Sequence, residues 1–404
     1  MFYLVPPAGT KYQASDIVRT IIARFKKADH NGAFESIVRH KISVRYCHIV
    51  NSGRSAMTLA LNALGRMAGE HKNEVIIPAY TCPSVGSAVV RAGFKIRLID
   101  VDPSTFDYKY EEFSRVDFSR TLAIVGCNLF AILNDWDKLR NLAKQNSVFL
   151  IDDAAQSMGS VYQGTHSGCL GDVGFFSLDR GKNLSTYYGG ILITNNEELA
   201  NEVSGQIESL KPTGIVKELD ALIKIILYFF LLRPRLYWFP DMLPMVSIGK
   251  DTHGAYFPEY INFENLSSLQ RCAGIVMFPR LLSLNESRRQ KAKTMAQELA
   301  GTGRYVIPGY NENNCPAYLR LPLIFPNRQM RDKALKDLKK MGIQASTMYF
   351  SSMHRIAEID KYLAAQREEN YAGADEIVDK LLTLPTHGFM DEKRMRLAID
   401  YLTH

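Results

Sequence analysis

The strongest constraint on this chain is an alternation of short apolar strands with helices that begins near Ala56. "AMTLALNALGRMA" has helical spacing, and "EVIIPAY" follows as a short strand stopped by Pro78. A helix in "SVGSAVVRAG", strands in "KIRLIDVD" and "TLAIVGCN", a helix in "DWDKLRNLAKQNS" and a strand in "VFLIDDAAQS" come next. "DVGFFSLD" and "GGILITN" read as two further strands. Strands this apolar have lost the inside–outside alternation of a half-exposed sheet, so both faces are expected to be covered. The pattern predicts an α/β fold with a mostly parallel central sheet flanked by helices. Ligands of such sheets collect outside the carboxyl ends of the strands. Asp152 and Asp153 stand at one such end, and Asn51–Ser55 lie just before a helix.

The flanking regions are less regular. "DIVRTIIARF", Asp16 to Phe25, is expected to be a helix with Ile17, Ile21 and Ile22 on its apolar stripe. From about Ser267 the character changes to helices with a break near Pro279. The strand "YLRLPLIF", the helix "MRDKALKDLKKMG", a loop carrying Tyr349 and His354, and "EKRMRLAIDYLTH" follow. This second unit reads as a smaller α+β domain. A chain of 404 residues suits two domains, and the division is placed at 1–250 and 251–404.

Composition excludes several classes. With 46% apolar and 23% charged residues the chain folds rather than staying disordered. The net charge of +7 is dispersed and shows no basic stripe interleaved with aromatics, which argues against nucleic acid and suits an anionic small substrate. The six cysteines are isolated and lack metal-ligand spacing, so free thiols in a reducing compartment and no metal are expected. The start "MFYLVPPAGTKYQ" lacks the charged region and apolar core of an export signal, giving a cytoplasmic expectation. Residues 221–244, "ALIKIILYFFLLRPRLYWFPDMLP", admit two readings. The apolar run is shorter than the roughly 20 residues a bilayer requires. It is either a buried or subunit-covered helix broken by Pro234, or a peripheral contact with the inner face of a membrane.

Three groups are expected on one rim of the sheet. The turn "NSGRSAM" offers free backbone N–H groups and the positive end of a helix dipole, which suit an anion. "LIDDAAQ" puts a carboxylate beside small residues that let a flat ligand approach. Lys182, in "FSLDRGKNLSTYYGG", sits on a tight glycine-flanked link between two strands. An anion cradle, a buried acid and an amine match the needs of pyridoxal phosphate: its phosphate, its ring nitrogen and its aldehyde.

The segments "NSGRSAMTLAL", "EVIIPAYTC", "LIDDAAQSMGSVYQGTHSGCLGDVGFFSLDRGKNL", "LSSLQRCAG", "MGIQASTMYFSSMH" and "LTLPTHGFMDEKRM" resemble the DegT/DnrJ/EryC1/StrS family of sugar aminotransferases over nearly the whole chain. The resemblance implies the fold-type I architecture of pyridoxal-phosphate enzymes, with Lys182 as the Schiff-base lysine and Asp153 as partner of the pyridine nitrogen. Gln156 resembles the residue at the cofactor's phenolic oxygen or ring. Ser177 and the backbones of Arg54 and Ser55 resemble phosphate ligands. It further implies transfer of an amino group from glutamate or glutamine to a keto sugar, nucleotide-linked, in surface-glycan or secondary-metabolite synthesis. A homodimer with a shared site is implied as well.

Departures from the family pattern mark the substrate side. Cys82 replaces an aromatic residue that stacks on the cofactor, and Arg54 stands where threonine is common. Asn128 replaces a histidine and Tyr188 a glutamate. The cross-subunit Asn-x-Arg aligns with Phe263 and Asn265, with Asn262 adjacent, so Arg54 is a candidate replacement for the lost cation. Tyr187, Tyr188, Tyr349 and His354 are candidates for the substrate pocket. Two other readings stand beside transamination: a sugar dehydratase, which Lys182 opposes, and a catalytically reduced scaffold at a membrane-bound glycan assembly.

Overall fold

The computed structural model describes residues 3–26, 29–69, 71–210, 213–242, 263–311, 315–364 and 370–404. The strands in chain order are β1 (Tyr46–Val50), β2 (Glu74–Pro78), β3 (Lys95–Ile99), β4 (Thr121–Cys127) and β5 (Phe149–Asp153). There follow a two-stranded hairpin, β6 (Val161–Tyr162) and β7 (Thr165–His166), then β8 (Val173–Ser177), β9 (Gly190–Thr194), β10 (Arg320–Ile324) and β11 (Leu381–Pro385). Seven of these form one sheet in the order β1-β9-β8-β5-β4-β2-β3. Only β9 runs antiparallel to its neighbours; the other six are mutually parallel. All residues of β2, β4 and β9 are buried, as their unbroken apolar runs require.

The register lines up the functional rim. Cys127 at the end of β4 pairs with Asp153 at the end of β5, and Asp153 pairs with Phe175 on β8. Ser177 at the end of β8 pairs with Gly190, which also pairs with Val50 at the end of β1. Chain positions up to 140 apart thus share one edge.

The antiparallel pair β10–β11 and its helices Arg328–Lys340, Ala372–Lys380 and Glu392–Thr403 form the C-terminal layer. Its docking is specific: Asp100, just past β3, accepts the Gly373 and Ala374 N–H groups at 2.8 Å each. A carboxylate there meets the free donors and the positive end of helix Ala372–Lys380. One continuous buried cluster runs from β2–β5 into β10 and β11, so the two predicted units share a core. The expected division at 250/251 lies outside the described residues.

Helix Ala14–Phe25 departs in part from expectation, and residues 221–244 show the expected break at Pro234. Helix Ala14–Phe25 buries Asp16 and Thr20, with Asp16 held by Arg280, while Val18, Ile22 and Phe25 are exposed. Of the expected stripe, Ile17 packs against the core and Ile21 is half-buried, while Ile22 faces outward. Residues 221–244 form the end of helix Ile215–Leu231 and a second helix, Pro234–Met242, with the break at the proline; Leu243 and Pro244 lie outside the described residues. Ala221, Ile225, Tyr228 and Leu232 face the core, whereas Ile223, Leu227 and Phe230 face outward. Among the described residues no helix is long and apolar enough to cross a membrane.

Candidate active site

Strand alternation decides between the two aspartates at the end of β5, because successive side chains point to opposite faces. Asp152 turns toward the loop after β7. There it accepts the Gly168 N–H (2.5 Å), the Leu170 N–H (3.1 Å) and the Asn128 side-chain amide (2.8 Å). Burial pushes its pKa up to about 7 against these donors. Asp152 is thus spent on the fold. Asp153 turns the other way: its Oδ1 accepts the Ala155 N–H at 3.0 Å and its Oδ2 faces the Cys127 thiol at 3.7 Å. Burial raises the Asp153 pKa, while the Ala155 N–H, the Lys182 charge and the Cys127 thiol oppose that rise. Lys182 and Asp153 therefore feel one another across the rim.

The anion cradle is built where the turn after β1 meets the ends of β8 and β9. Ser52 caps helix Gly53–Ala68, its Oγ accepting the Ser55 N–H at 3.1 Å and touching the Ser55 Oγ at 2.9 Å. Ser177 sits on the first turn of this helix, since a Cβ on Gly53 would lie 3.1 Å from the Ser177 Cβ. A Cβ on Gly190 would fall 2.2 Å from the Ser52 carbonyl oxygen, which is why the "YYGG" link ends in a residue without a side chain. Arg54 lies half-buried in the same turn. Among the described residues its guanidinium has no ion-pair partner.

The lysine loop is held from behind by residues that no local sequence signal marked. Thr10 Oγ1 donates to the Lys182 carbonyl at 3.0 Å, and the Thr10 N–H donates to Tyr228 Oη at 3.0 Å. Arg288, fully buried on helix Leu281–Ala300, donates to the Asn183 carbonyl (3.0 Å), the Gly9 carbonyl (3.2 Å) and the Lys182 carbonyl (3.4 Å). Burial lowers its pKa to about 10. A guanidinium suits this place because its rigid fork serves several carbonyls at once.

Gln156 bridges the two layers. Its Oε1 accepts the Phe130 N–H at 3.1 Å and its Nε2 donates to Tyr349 Oη at 3.0 Å. Tyr349 is buried beside Cys82, Tyr80 and Asp153, and desolvation raises its pKa far above the usual phenol range. The small side chain at Cys82 thus leaves its room to two tyrosines, Tyr80 and Tyr349. Asn128, in the family's histidine position, accepts Asn134 N–H and Trp136 Nε1–H and donates to Asp152. It braces the ends of β4 and β5.

The remaining candidates sit elsewhere. Tyr187 has φ of +76° and is buried edge-on to Tyr228, and Tyr188 is part-exposed; both lie beneath the Arg180 guanidinium. Their contacts run to helix Ile215–Leu231. His354 faces Asp375 at 3.4 Å and stacks on Tyr371. Asn265 bonds to the Leu210 carbonyl, and Phe263 lies under Arg91; Asn262 is outside the described residues. The residues missed at first reading are Thr10, Thr81, Cys127, Tyr228 and Arg288.

This donor set fits pyridoxal phosphate. A buried carboxylate short of hydrogen-bond donors asks for a cationic partner, and the glycines clear a helix N-terminus for an anion. Among the described residues no cluster could hold a metal ion. GDP-perosamine synthase of Caulobacter vibrioides is 28% identical over 324 residues, 80% of this chain and 76% of that protein. The aminotransferase PseC of Helicobacter pylori superposes with a TM-score of 0.78 at 14% identity, over 99% of this chain and 98% of PseC. The E. coli GDP-4-keto-6-deoxy-D-mannose-3-dehydratase, solved with hydrated pyridoxal phosphate, gives 0.75 at 17% identity, covering 99% and 98%. The family model described as the DegT/DnrJ/EryC1/StrS aminotransferase family matches residues 15–402, and with this rim in place the chain belongs to that family as a pyridoxal-phosphate-dependent aminotransferase.

Proposed function

We propose that this protein is a sugar aminotransferase that moves an amino group from glutamate or glutamine to a keto sugar, nucleotide-linked, in glycan biosynthesis. The observation that supports it is the register that brings Asp153 at the end of β5, Ser177 at the end of β8 and the Ser52–Ser55 turn after β1 to one edge of the sheet, with the Lys182 charge acting on Asp153. When bound, pyridoxal phosphate supplies an aldehyde that condenses with amines and a cationic ring that draws electrons from the bond being broken. Asp153, whose Oδ1 accepts the Ala155 N–H, would hold the proton on the ring nitrogen. Ser55, Ser177 and the helix N-terminus would take the phosphate. Lys182 Nζ would anchor the cofactor and, once released, carry a proton to and from the reacting carbon. Gln156 and Tyr349 would bound the ring on the side of the C-terminal layer.

The acceptor class is supported by the relatives: GDP-perosamine synthase and the L-glutamine:2-deoxy-scyllo-inosose aminotransferase of Streptomyces lividus, which is 36% identical over 173 residues, 43% of this chain and 39% of that protein. A homodimer completes the reading, as the resemblance implies. The retained amine at Lys182 separates this reading from the sugar dehydratase. The experiment is a half-reaction: glutamate or glutamine added to the cofactor-loaded protein should change its visible absorption and release the keto acid. Lys182→Ala should abolish both. A protein that binds the cofactor yet shows no spectral change with either donor would overturn the proposal.

A further inference from the structure

The exposed face of helix Ile215–Leu231 has no part in the site. At about 100° per residue, Ile215, Leu219, Phe230, Ile223, Val216 and Leu227 fall in one arc, opposite the buried Ala221, Ile225 and Tyr228. These six are 45–76% exposed. The helix is thus apolar on two opposite sides, one against the protein and one against solvent. The Arg24–Glu218 ion pair joins it to helix Ala14–Phe25, whose own outward residues are Val18 (54%), Ile22 (54%) and Phe25 (82%). After the break at Pro234 the exposed Leu236 and Phe239 extend the patch, with Trp238 beside Phe239. Isolated apolar residues on a surface need no explanation, but six along one arc of a single helix mark an interaction face.

Charge identifies what covers it. Residues 14–26 and 213–239 carry seven cations: Arg19, Arg24, Lys26, Lys217, Lys224, Arg233 and Arg235. Their three carboxylates are already paired, Asp16 with Arg280, Glu218 with Arg24 and Asp220 with Lys224, and Lys217 pairs with Glu264, which leaves Arg19, Lys26, Arg233 and Arg235 as the excess. Arg233 lies over the Phe229 and Phe230 rings at the end of the stripe. A second copy seated by a two-fold axis would set these cation-rich patches against each other, a like-charge contact that costs affinity. An apolar stripe edged by Lys and Arg, with Trp and Phe at its end, has the chemistry of a helix lying in a lipid interface.

We propose that helices Ala14–Phe25 and Ile215–Leu231 form a peripheral docking surface for an anionic phospholipid bilayer. The apolar stripe enters the acyl boundary, and Arg19, Lys26, Arg233 and Arg235 meet the phosphates. The inner side of the same helix supports the lysine loop, with Tyr228 Oη on the Thr10 N–H and Tyr187 packed edge-on to Tyr228. Docking therefore sets the height of the catalytic rim above the lipid. This inference stands independently of the proposed substrate.

The test is co-sedimentation of the full-length, cofactor-loaded protein with vesicles of phosphatidylcholine alone or with phosphatidylglycerol added. Wild type should pellet with the anionic vesicles and release at high salt. Leu219→Asp/Ile223→Asp/Phe230→Asp should lose binding while keeping cofactor absorption and melting temperature, because all three positions are exposed. Arg19→Gln/Arg233→Gln should weaken binding roughly fivefold for each cation removed. The proposal is overturned if wild type ignores anionic vesicles, or if the triple variant still binds them. It is also overturned if the triple substitution only halves the molecular mass in solution, because the face is then covered by a second copy.

Discussion

Replacing Cys127 with valine removes the only side-chain donor that the described residues direct at Asp153 Oδ2. Burial holds the thiol far above its ordinary pKa, so it remains protonated and can donate. The contact, 3.7 Å to sulfur, is a long one, and a net contribution of about 1 kcal/mol is the most it should make. That corresponds to roughly fivefold in affinity for whatever cation Asp153 holds. The sign is fixed by the chemistry: losing a donor to the carboxylate favours its protonated form, so the Asp153 pKa rises further. The acid limb of cofactor binding should move to higher pH, with little change where Asp153 stays ionised. Valine suits β4 sterically, but Thr81 Oγ1, which donates to Cys127 Sγ at 3.4 Å, loses its acceptor. A stability loss of about 1–2 kcal/mol should accompany the change. Cys127→Ser restores both the donor and the acceptor. The assay is a pyridoxal phosphate titration by fluorescence from mildly acidic to mildly alkaline pH, beside thermal melts of the cofactor-free proteins. If valine and serine variants share one pH profile with wild type, the thiol does not steady Asp153 and the reasoning fails.

Three further outcomes follow from the geometry. Arg54→Ala should weaken cofactor binding by about tenfold if its guanidinium replaces the missing cross-subunit cation, a bidentate phosphate contact being among the stronger hydrogen bonds; unchanged affinity removes that role. Gly190→Ala should destabilise the fold by roughly 1–3 kcal/mol and loosen phosphate binding, because its new carbon meets the Ser52 backbone; a normal melt with normal affinity would contradict the close approach. His387, buried, places Nε2 at 2.8 Å from the Pro6 carbonyl and accepts the Phe389 N–H on Nδ1, and burial lowers its pKa to about 3. Its stabilisation is complete above the unfolded value of 6.5 and is lost as pH falls toward 3, by up to about 1.4 kcal/mol per pH unit. His387→Gln should flatten that slope in denaturant titrations, and parallel acid profiles would count against the assignment.

Much of the sheet could be read directly because its strands are apolar on both faces and its helices have ordinary spacing. The elements not foreseen lack such signals. β1 is five residues with a histidine at its centre, and β11 follows helix Ala372–Lys380 without a turn residue between them. Helix Ala14–Phe25 departs from its expected stripe at Ile22, because an apolar stripe reports amphipathicity and not how much of it the protein covers. In this helix the buried side carries Asp16, which Arg280, 264 residues away, makes affordable.

The amino-acid order alone determined the layer type and marked Lys182, Asp153 and the Ser52–Ser55 turn as the candidate site, since residue type, spacing and motif are local properties. Only the tertiary structure showed that Asp152 is taken up by the Gly168 and Leu170 N–H groups and the Asn128 amide, which leaves Asp153 on the opposite face of β5. It also decided that Thr10, Tyr228 and Arg288 fix the lysine loop, and that one side of helix Ile215–Leu231 stays bare. Those outcomes depend on strand register and on partners brought together from distant chain positions, and a reading confined to neighbouring residues has no access to either.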